Sequence, residues 1–145
     1  MRSFDAIQAD LAAGSTTVEG VTTGYLKAVE QRQSLNAFVS VFAHEALAQA
    51  RDVDRKRAGG TAGPLAGMVV SIKDAISVGG HRLTCGSKIL ESFVSPYDAT
   101  VVARLKAADA VIIGKTNLDE FAMGSSTEHS AFGRVRLPQD ESRVP

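Results

Sequence analysis

Cysteine is all but missing from this chain: Cys85 is the only one among 145 residues. No internal disulfide can form, and a chain without disulfides suits a reducing compartment. With one thiol, and with His44, His81 and His129 far apart, there is no zinc signature either. Net charge is missing too. Lys and Arg total 16 and Asp and Glu total 16, so no bulk field favours nucleic acid or an anionic membrane. No run of about 18 apolar residues occurs, so no segment reads as a membrane-spanning helix. The start, Met1-Arg2-Ser3-Phe4-Asp5, lacks the apolar core of a secretory leader. The expected location is the cytoplasm, or an organelle after loss of a transit peptide. GxGxxG, GxxxxGK(S/T) and GxSxG are all absent, so no local motif specifies a nucleotide site or a nucleophile elbow.

What is present has the balance of a globular protein, with 44% apolar and 22% charged residues. The length fits one domain or part of a larger one. The first sixty residues read as helical. Phe4, Ile7 and Leu11 fall on one face, with Ser3 as N-cap and Gly14 as the stop. Thr16-Thr17-Val18-Glu19 fits a capping box that opens a second helix, whose apolar face is Val21, Tyr25, Ala28 and Val29. Leu35 to Phe42 is a short strand or an extended connector. A third helix begins near Ala43, with Ala46, Leu47, Ala50 and Val53 inward. Its charged end, Arg51 to Arg57, reads as a solvated face with favourable C-terminal cations.

Gly59-Gly60-Thr61-Ala62-Gly63-Pro64 breaks the helical texture. Met68 to Ile72 then reads as an apolar strand covered on both faces. Gly79-Gly80 marks a turn. Asp98 can cap a helix running to about Ala107, with Val101, Val102, Leu105 and Ala108 inward. Val111-Ile112-Ile113-Gly114 is a second buried strand. Strand, helix, strand at this spacing predicts parallel pairing in an α/β sheet. The division is a helical segment over 1–60, then the first part of an α/β core over 61–145, one incomplete domain overall.

Lys73 ends the first of these strands, in Val69-Val70-Ser71-Ile72-Lys73-Asp74. A strand there would bury it. A buried ammonium costs several kcal/mol unless it is paired or gives up its proton, and a neutral lysine is a base. The alternative is a lysine that snorkels to the strand end or pairs with Asp74. Cys85 near His81 suggests a Cys–His pair, or else an inert, partly buried thiol. Lys115 follows the second strand and either meets a ligand at the carboxyl end of the sheet or is a loop lysine beside Asn117. Gly124-Ser125-Ser126-Thr127 offers hydroxyls and flexible backbone, either lining a substrate pocket or forming an ordered turn.

Several runs, taken in order, resemble the amidase signature family. They are Gly63-Pro64-Leu65-Ala66-Gly67, Ile72-Lys73-Asp74, Thr84-Cys85-Gly86-Ser87-Lys88-Ile89-Leu90, Pro96-Tyr97-Asp98-Ala99-Thr100-Val101-Val102, and Gly114 to Glu128. Within the family the wording is most similar to the A subunits of aspartyl/glutamyl-tRNA(Asn/Gln) amidotransferases, above all from Asn117 to Gly133. The resemblance covers nearly the whole chain and is strongest from Gly63 to Gly133.

The resemblance implies N-terminal helices followed by the start of a mixed, mostly parallel amidase-signature sheet, truncated at Pro145. It implies a serine nucleophile, a second serine in a cis peptide bond, and a lysine, and Lys73 matches that lysine. A neutral amine takes a proton through the bridging serine while backbone N–H groups hold the oxyanion. Gly124, Ser125, Ser126 and Thr127 are the substrate-pocket candidates, and no metal is expected. In the amidotransferases, glutamine gives up ammonia to a partner subunit, which amidates misacylated tRNA. The implied partners are the B and C subunits of a heterotrimer, with ATP and Mg used by the partner and no cofactor bound by this chain. Ser71, Ser77, Ser87, Ser125 and Ser126 do not match the two catalytic serines, so the 145 residues alone are expected to be inactive; a truncated parallel sheet leaves an open edge, so they are also expected to be poorly stable alone or completed by another chain. The alternatives are a stand-alone amide hydrolase and an inert fragment or assembly component. Departures from the family's wording are Arg134, Leu137, Gln139 and Glu141, and Asp109 where a glycine is expected for a positive φ.

Overall fold

The computed structural model describes residues 3–145. The reading of Met1 and Arg2 as the head of a leaderless chain lies outside the described residues. Helix α1 (Phe4–Ala12) starts where Ser3 Oγ accepts the Ala6 N–H at 3.2 Å, and it buries Ile7 and Leu11. Gly14 follows in the left-handed region, at φ 68°. The 3.6-residue spacing of the apolar residues produces this helix as expected.

Helix α2 (Val18–Gln31) does not start with the expected capping box. Thr17, not Thr16, provides the capping hydroxyl, accepting the Gly20 N–H at 2.9 Å. Glu19 faces Arg51 at 3.3 Å instead of closing back on the helix start. The first two N–H groups, of Val18 and Glu19, go to the Asp54 carboxylate at 2.8 and 3.0 Å. The buried face is Val18 and Thr22. Val21 and Tyr25 are half-buried and Ala28 is exposed, so the predicted apolar face is rotated relative to the observed one.

Strand β1 (Phe38–Val41) leads into α3 (Ala43–Ala58), which buries Ala46, Ala50 and Val53 as read. The charged end of α3 is more than a solvated face. Asp54 holds α2, and Lys56 Nζ donates to Asp109 Oδ1 at 2.7 Å. Asp109 sits at φ 66°, the left-handed backbone expected of a glycine. Its other oxygen accepts the Gly63 N–H at 2.7 Å, so the aspartate recovers through two bonds what its Cβ costs there. Gly63 cannot itself carry a Cβ, which would lie 2.7 Å from the Ala108 carbonyl oxygen.

Strand β2 (Val69–Lys73), helix α4 (Thr100–Ala107) and strand β3 (Val111–Thr116) complete the elements. The sheet has the order β1-β3-β2. Val111 N–H donates to the Met68 carbonyl and Asp74 N–H to the Thr116 carbonyl. Both strands therefore ascend together, and the pair is parallel as predicted. β1 runs antiparallel to β3, with Phe38 opposite Thr116 and Ser40 opposite Lys115. One extra residue bulges β1 there, and any side chain on Gly114 would strike the Ser40 carbonyl.

Two expectations need correction. β2 is an edge strand, and of its residues only Ile72 is buried, so it is not covered on both faces. β3, the central strand, is buried from Val111 through Lys115. On α4, Val102 is buried while Val101 is 49% exposed. Contacts gather the residues into two units. One comprises α1, α2 as far as Glu30, Phe42–Val70 and Ala103–Ile113; the other comprises Gln31–Val41, Ser71–Val102 and Gly114–Pro145. No helix among the described residues is long and apolar enough to cross a membrane.

Candidate functional site

The chemistry-bearing residues lie in the second unit, at the carboxyl ends of β2 and β3. Side chains alternate along β2 and just past it: Ile72 is buried, Lys73 exposed and Asp74 buried. The burial expected of Lys73 is therefore absent, because an odd step from a buried Ile72 turns it outward. Nor does Lys73 pair with Asp74. The buried lysine is Lys115, 0% exposed, in the centre of the sheet rather than in a loop. Its Nζ donates to Asp74 Oδ1 at 2.8 Å and to the Arg82 carbonyl at 3.2 Å.

Asp74 is the hub. Its Oδ2 accepts the Thr84 N–H at 3.1 Å and also the Thr84 hydroxyl. The same hydroxyl oxygen accepts the Gly86 N–H at 3.2 Å. The Asp74 carbonyl accepts the Cys85 N–H at 3.0 Å. Cys85 is half-buried at φ 52°. Burial pushes its thiol above the ordinary cysteine range; the Asp74 carboxylate adds to that rise and the Lys115 ammonium opposes it. A raised thiol is a poor nucleophile at neutral pH.

The turn at 84–87 is bonded in its turn to the segment after β3. Phe121 N–H donates to the Cys85 carbonyl at 2.7 Å and Ala131 N–H to the Gly86 carbonyl at 2.8 Å. Ser87 is buried and donates its hydroxyl to Glu120 at 2.6 Å.

Gly124, Ser125, Ser126 and Thr127 form a loop built around one carboxylate. Asp119 accepts the N–H groups of Ser126 at 3.1 Å, Thr127 at 2.8 Å and His129 at 3.0 Å. These bonds, that from His129 above all, hold the Asp119 carboxyl below the usual range. The Ser126 hydroxyl donates to Glu128 and the Thr127 hydroxyl to the Ser126 carbonyl, while the Thr127 oxygen accepts the Val135 N–H. Gly124 and Ser125 remain exposed. A Cβ on Gly124 would come within 3 Å of the Asp119 side chain, at 2.5 to 2.9 Å. Asn117 fixes the far side, with Nδ2 donating to the Asn36 and Gly133 carbonyls and Oδ1 accepting the Leu118 N–H and the Ser130 hydroxyl.

Asp74, Thr84, Asn117 and Asp119 were not singled out from sequence as site-builders. The available signal was a buried strand followed within a few residues by Asn and Asp, then a loop of small residues whose N–H groups need acceptors. Among the described residues, no three His, Cys, Asp or Glu side chains gather as a metal would require. The arrangement presents an exposed amine at a strand end, backed by a buried ion pair and flanked in sequence by a stitched turn.

The chain is similar to known proteins over most of its length. The amidase family model matches residues 20–145. The A subunit of glutamyl-tRNA(Gln) amidotransferase from Chlorobium phaeobacteroides is 54% identical over 99% of the chain, which spans 30% of that protein's length. The solved structure of the same-named subunit from Thermotoga maritima superposes with a TM-score of 0.70 at 39% identity, over 88% of this chain and 26% of that one. Native peptide amidase from Stenotrophomonas maltophilia superposes with a TM-score of 0.88 at 33% identity, over 97% of this chain and 30% of that one. With most of its length matched by the family model, and its fold shared with solved amidases, the chain belongs to the amidase family.

Proposed function

We propose that this chain works as part of a glutamine-hydrolysing amidotransferase A subunit, with Lys73 as its general base. The observation that carries the reading is the 54% identity to such a protein over nearly the whole chain. The position of Lys73 supports it: an amine at the carboxyl end of a parallel strand, where α/β sheets present their ligand sites.

In the proposed reaction, neutral Lys73 accepts a proton from a bridging serine as that serine deprotonates the nucleophile. The nucleophilic oxygen attacks the glutamine amide carbon, and collapse of the tetrahedral intermediate expels ammonia. Water then releases glutamate from the acyl-enzyme. Lys73 is exposed in these 145 residues. A base must be uncharged to act, so the proposal requires the serine-bearing segment to cover Lys73 in the working enzyme. The exposed Gly124 and Ser125, with Ser126 and Thr127, are the proposed substrate-side wall. Ammonia passes to a B subunit, which uses ATP and Mg to activate misacylated tRNA; a C subunit completes a cytoplasmic or organellar heterotrimer. This chain binds no cofactor itself. In reaction terms the assembly is a glutamine-hydrolysing ligase, and the 145 residues alone turn over no glutamine.

A second reading, a stand-alone amide hydrolase, has one observation in its favour: the closer superposition on peptide amidase, 0.88 against 0.70. Incubating the longer protein with partner subunits, glutamine, ATP and misacylated tRNA separates the two. Formation of Gln-tRNA or Asn-tRNA supports the amidotransferase. Hydrolysis of small amides with no amidated tRNA supports the hydrolase.

A further inference from the structure

A buried ion pair is a poor source of stability, since apolar residues of similar volume often do as well or better. Asp74 and Lys115 are 1% and 0% exposed and meet at 2.8 Å. Lys115 lies in a strand that also buries Val111, Ile112, Ile113 and Gly114, where another apolar residue would bury without penalty. What the pair adds over an apolar contact is direction. Within these residues β2 buries a single side chain, Ile72, so the polar anchor just past its end, Asp74, adds most of what fixes its register. A slip of one residue would turn Lys73 inward and Asp74 outward.

The geometry points to Asp74 and Lys115 as positioning residues that, through the register of β2, hold the Lys73 amine on the outer face of the strand end. The bonds around Asp74 converge on this. Its N–H donates to the Thr116 carbonyl and its carbonyl accepts from Cys85, both at 3.0 Å. Its carboxylate holds Lys115 on one side and Thr84 on the other. Lys73 is thus held through its neighbour, and its own carbonyl accepts the Ile76 N–H at 2.9 Å. The inference rests on the reading of Lys73 as the base.

The test uses the longer enzyme with its partner subunits and measures glutamine hydrolysis. The double variant Asp74→Asn/Lys115→Met removes both charges and leaves none unpaired. It should melt close to wild type while kcat falls about 10- to 100-fold, the scale of a misplaced catalytic group. KM for glutamine should stay within about twofold, because ground-state binding is untouched. Thr84→Val should lower kcat in the same direction by less, and Thr84→Ser, which keeps the hydroxyl, should restore it. A folded double variant with wild-type kcat overturns the inference. If that variant does not fold, Thr84→Val with wild-type kcat overturns it instead. Lys73→Ala is the control: wild-type kcat in that variant overturns the base reading itself. An inactive Lys73→Ala beside a fully active double variant overturns only the positioning role.

Discussion

Replacing Asp54 by alanine should unseat the start of α2. The two N–H groups it accepts, of Val18 at 2.8 Å and Glu19 at 3.0 Å, are among those that a helix cannot satisfy internally. Hydrogen bonds to a charged acceptor contribute about 1.5–3 kcal/mol each, and losing a capping group costs about 1 kcal/mol. The site is only partly buried, so water can replace some of the loss, and the lower end of the range applies. Val18 itself is fully buried, which limits that replacement. The expected cost of Asp54→Ala is therefore about 2–3 kcal/mol, and about 1 kcal/mol for Asp54→Asn, which keeps one acceptor oxygen. At about 2–4 °C per kcal/mol for a chain of this size, alanine should lower Tm by about 5–10 °C. Urea unfolding gives the global number. Amide hydrogen exchange at Val18 and Glu19 gives the local one, and both amides should exchange faster in the alanine variant. A cost within about 0.5 kcal/mol, the level of an ordinary surface substitution, with unchanged exchange at both amides, would refute the assignment of Asp54 as the cap of α2.

Gly63→Ala places a Cβ 2.7 Å from the Ala108 carbonyl oxygen and 2.8 Å from its carbon; it should destabilise by about 1–3 kcal/mol or more in thermal melts, as overpacking against backbone does. The Lys56–Asp109 pair should leave a signature in stability against pH. The hydrogen bond from Lys56, then that from Gly63, hold the Asp109 carboxyl below the usual range. Its contribution is full above the ordinary aspartate range and is lost as pH falls through the depressed value. The hydrogen bond with Asp109 raises Lys56, so that contribution is lost only as pH rises through the raised lysine value. Urea midpoints measured down the acid limb should fall less steeply for Asp109→Asn than for wild type, and parallel curves would count against the pair. Cys85 should react slowly with iodoacetamide at neutral pH, since burial raises its thiol. Asp74→Asn should speed that reaction, and no change would contradict the influence of Asp74 on the thiol.

The elements of this fold were legible where one segment determines its own structure. Ile7 and Leu11 on α1, Ala46, Ala50 and Val53 on α3, and the unbroken apolar run of β3 gave correct elements with their buried faces. Parallel pairing also followed from spacing, because a helix between two strands leaves them side by side and ascending. The failures come from long-range choices. Thr16-Thr17-Val18-Glu19 contains the letters of a capping box, yet the acceptor for the first N–H groups comes from Asp54, 36 residues beyond Val18. No local pattern can announce a cap supplied by another helix.

The two lysines exchanged roles for the same reason. Met68 to Ile72 and Val111 to Gly114 are equally apolar runs, but only one of them takes the centre of the sheet. The central strand buries Lys115, one residue before its end, and the edge strand exposes its terminal Lys73. Asp109 shows a third limit. A positive φ argues for glycine, and the reason for an aspartate there appears only when Lys56 and Gly63 are brought to it. The family resemblance pointed to Lys73 by wording, while the burial argument for it described Lys115.

Glutamine hydrolysis by the longer protein with Lys73 intact and with Lys73→Ala is the most direct measurement. Ammonia release should fall by about 100-fold or more in the variant, since general-base catalysis contributes about that much. The variant's fold is checked by its thermal melt, which should stay close to wild type because Lys73 lies at the end of β2 and outside the Asp74–Lys115 ion pair. Ammonia released at the wild-type rate by a folded Lys73→Ala variant would contradict the assignment of the base.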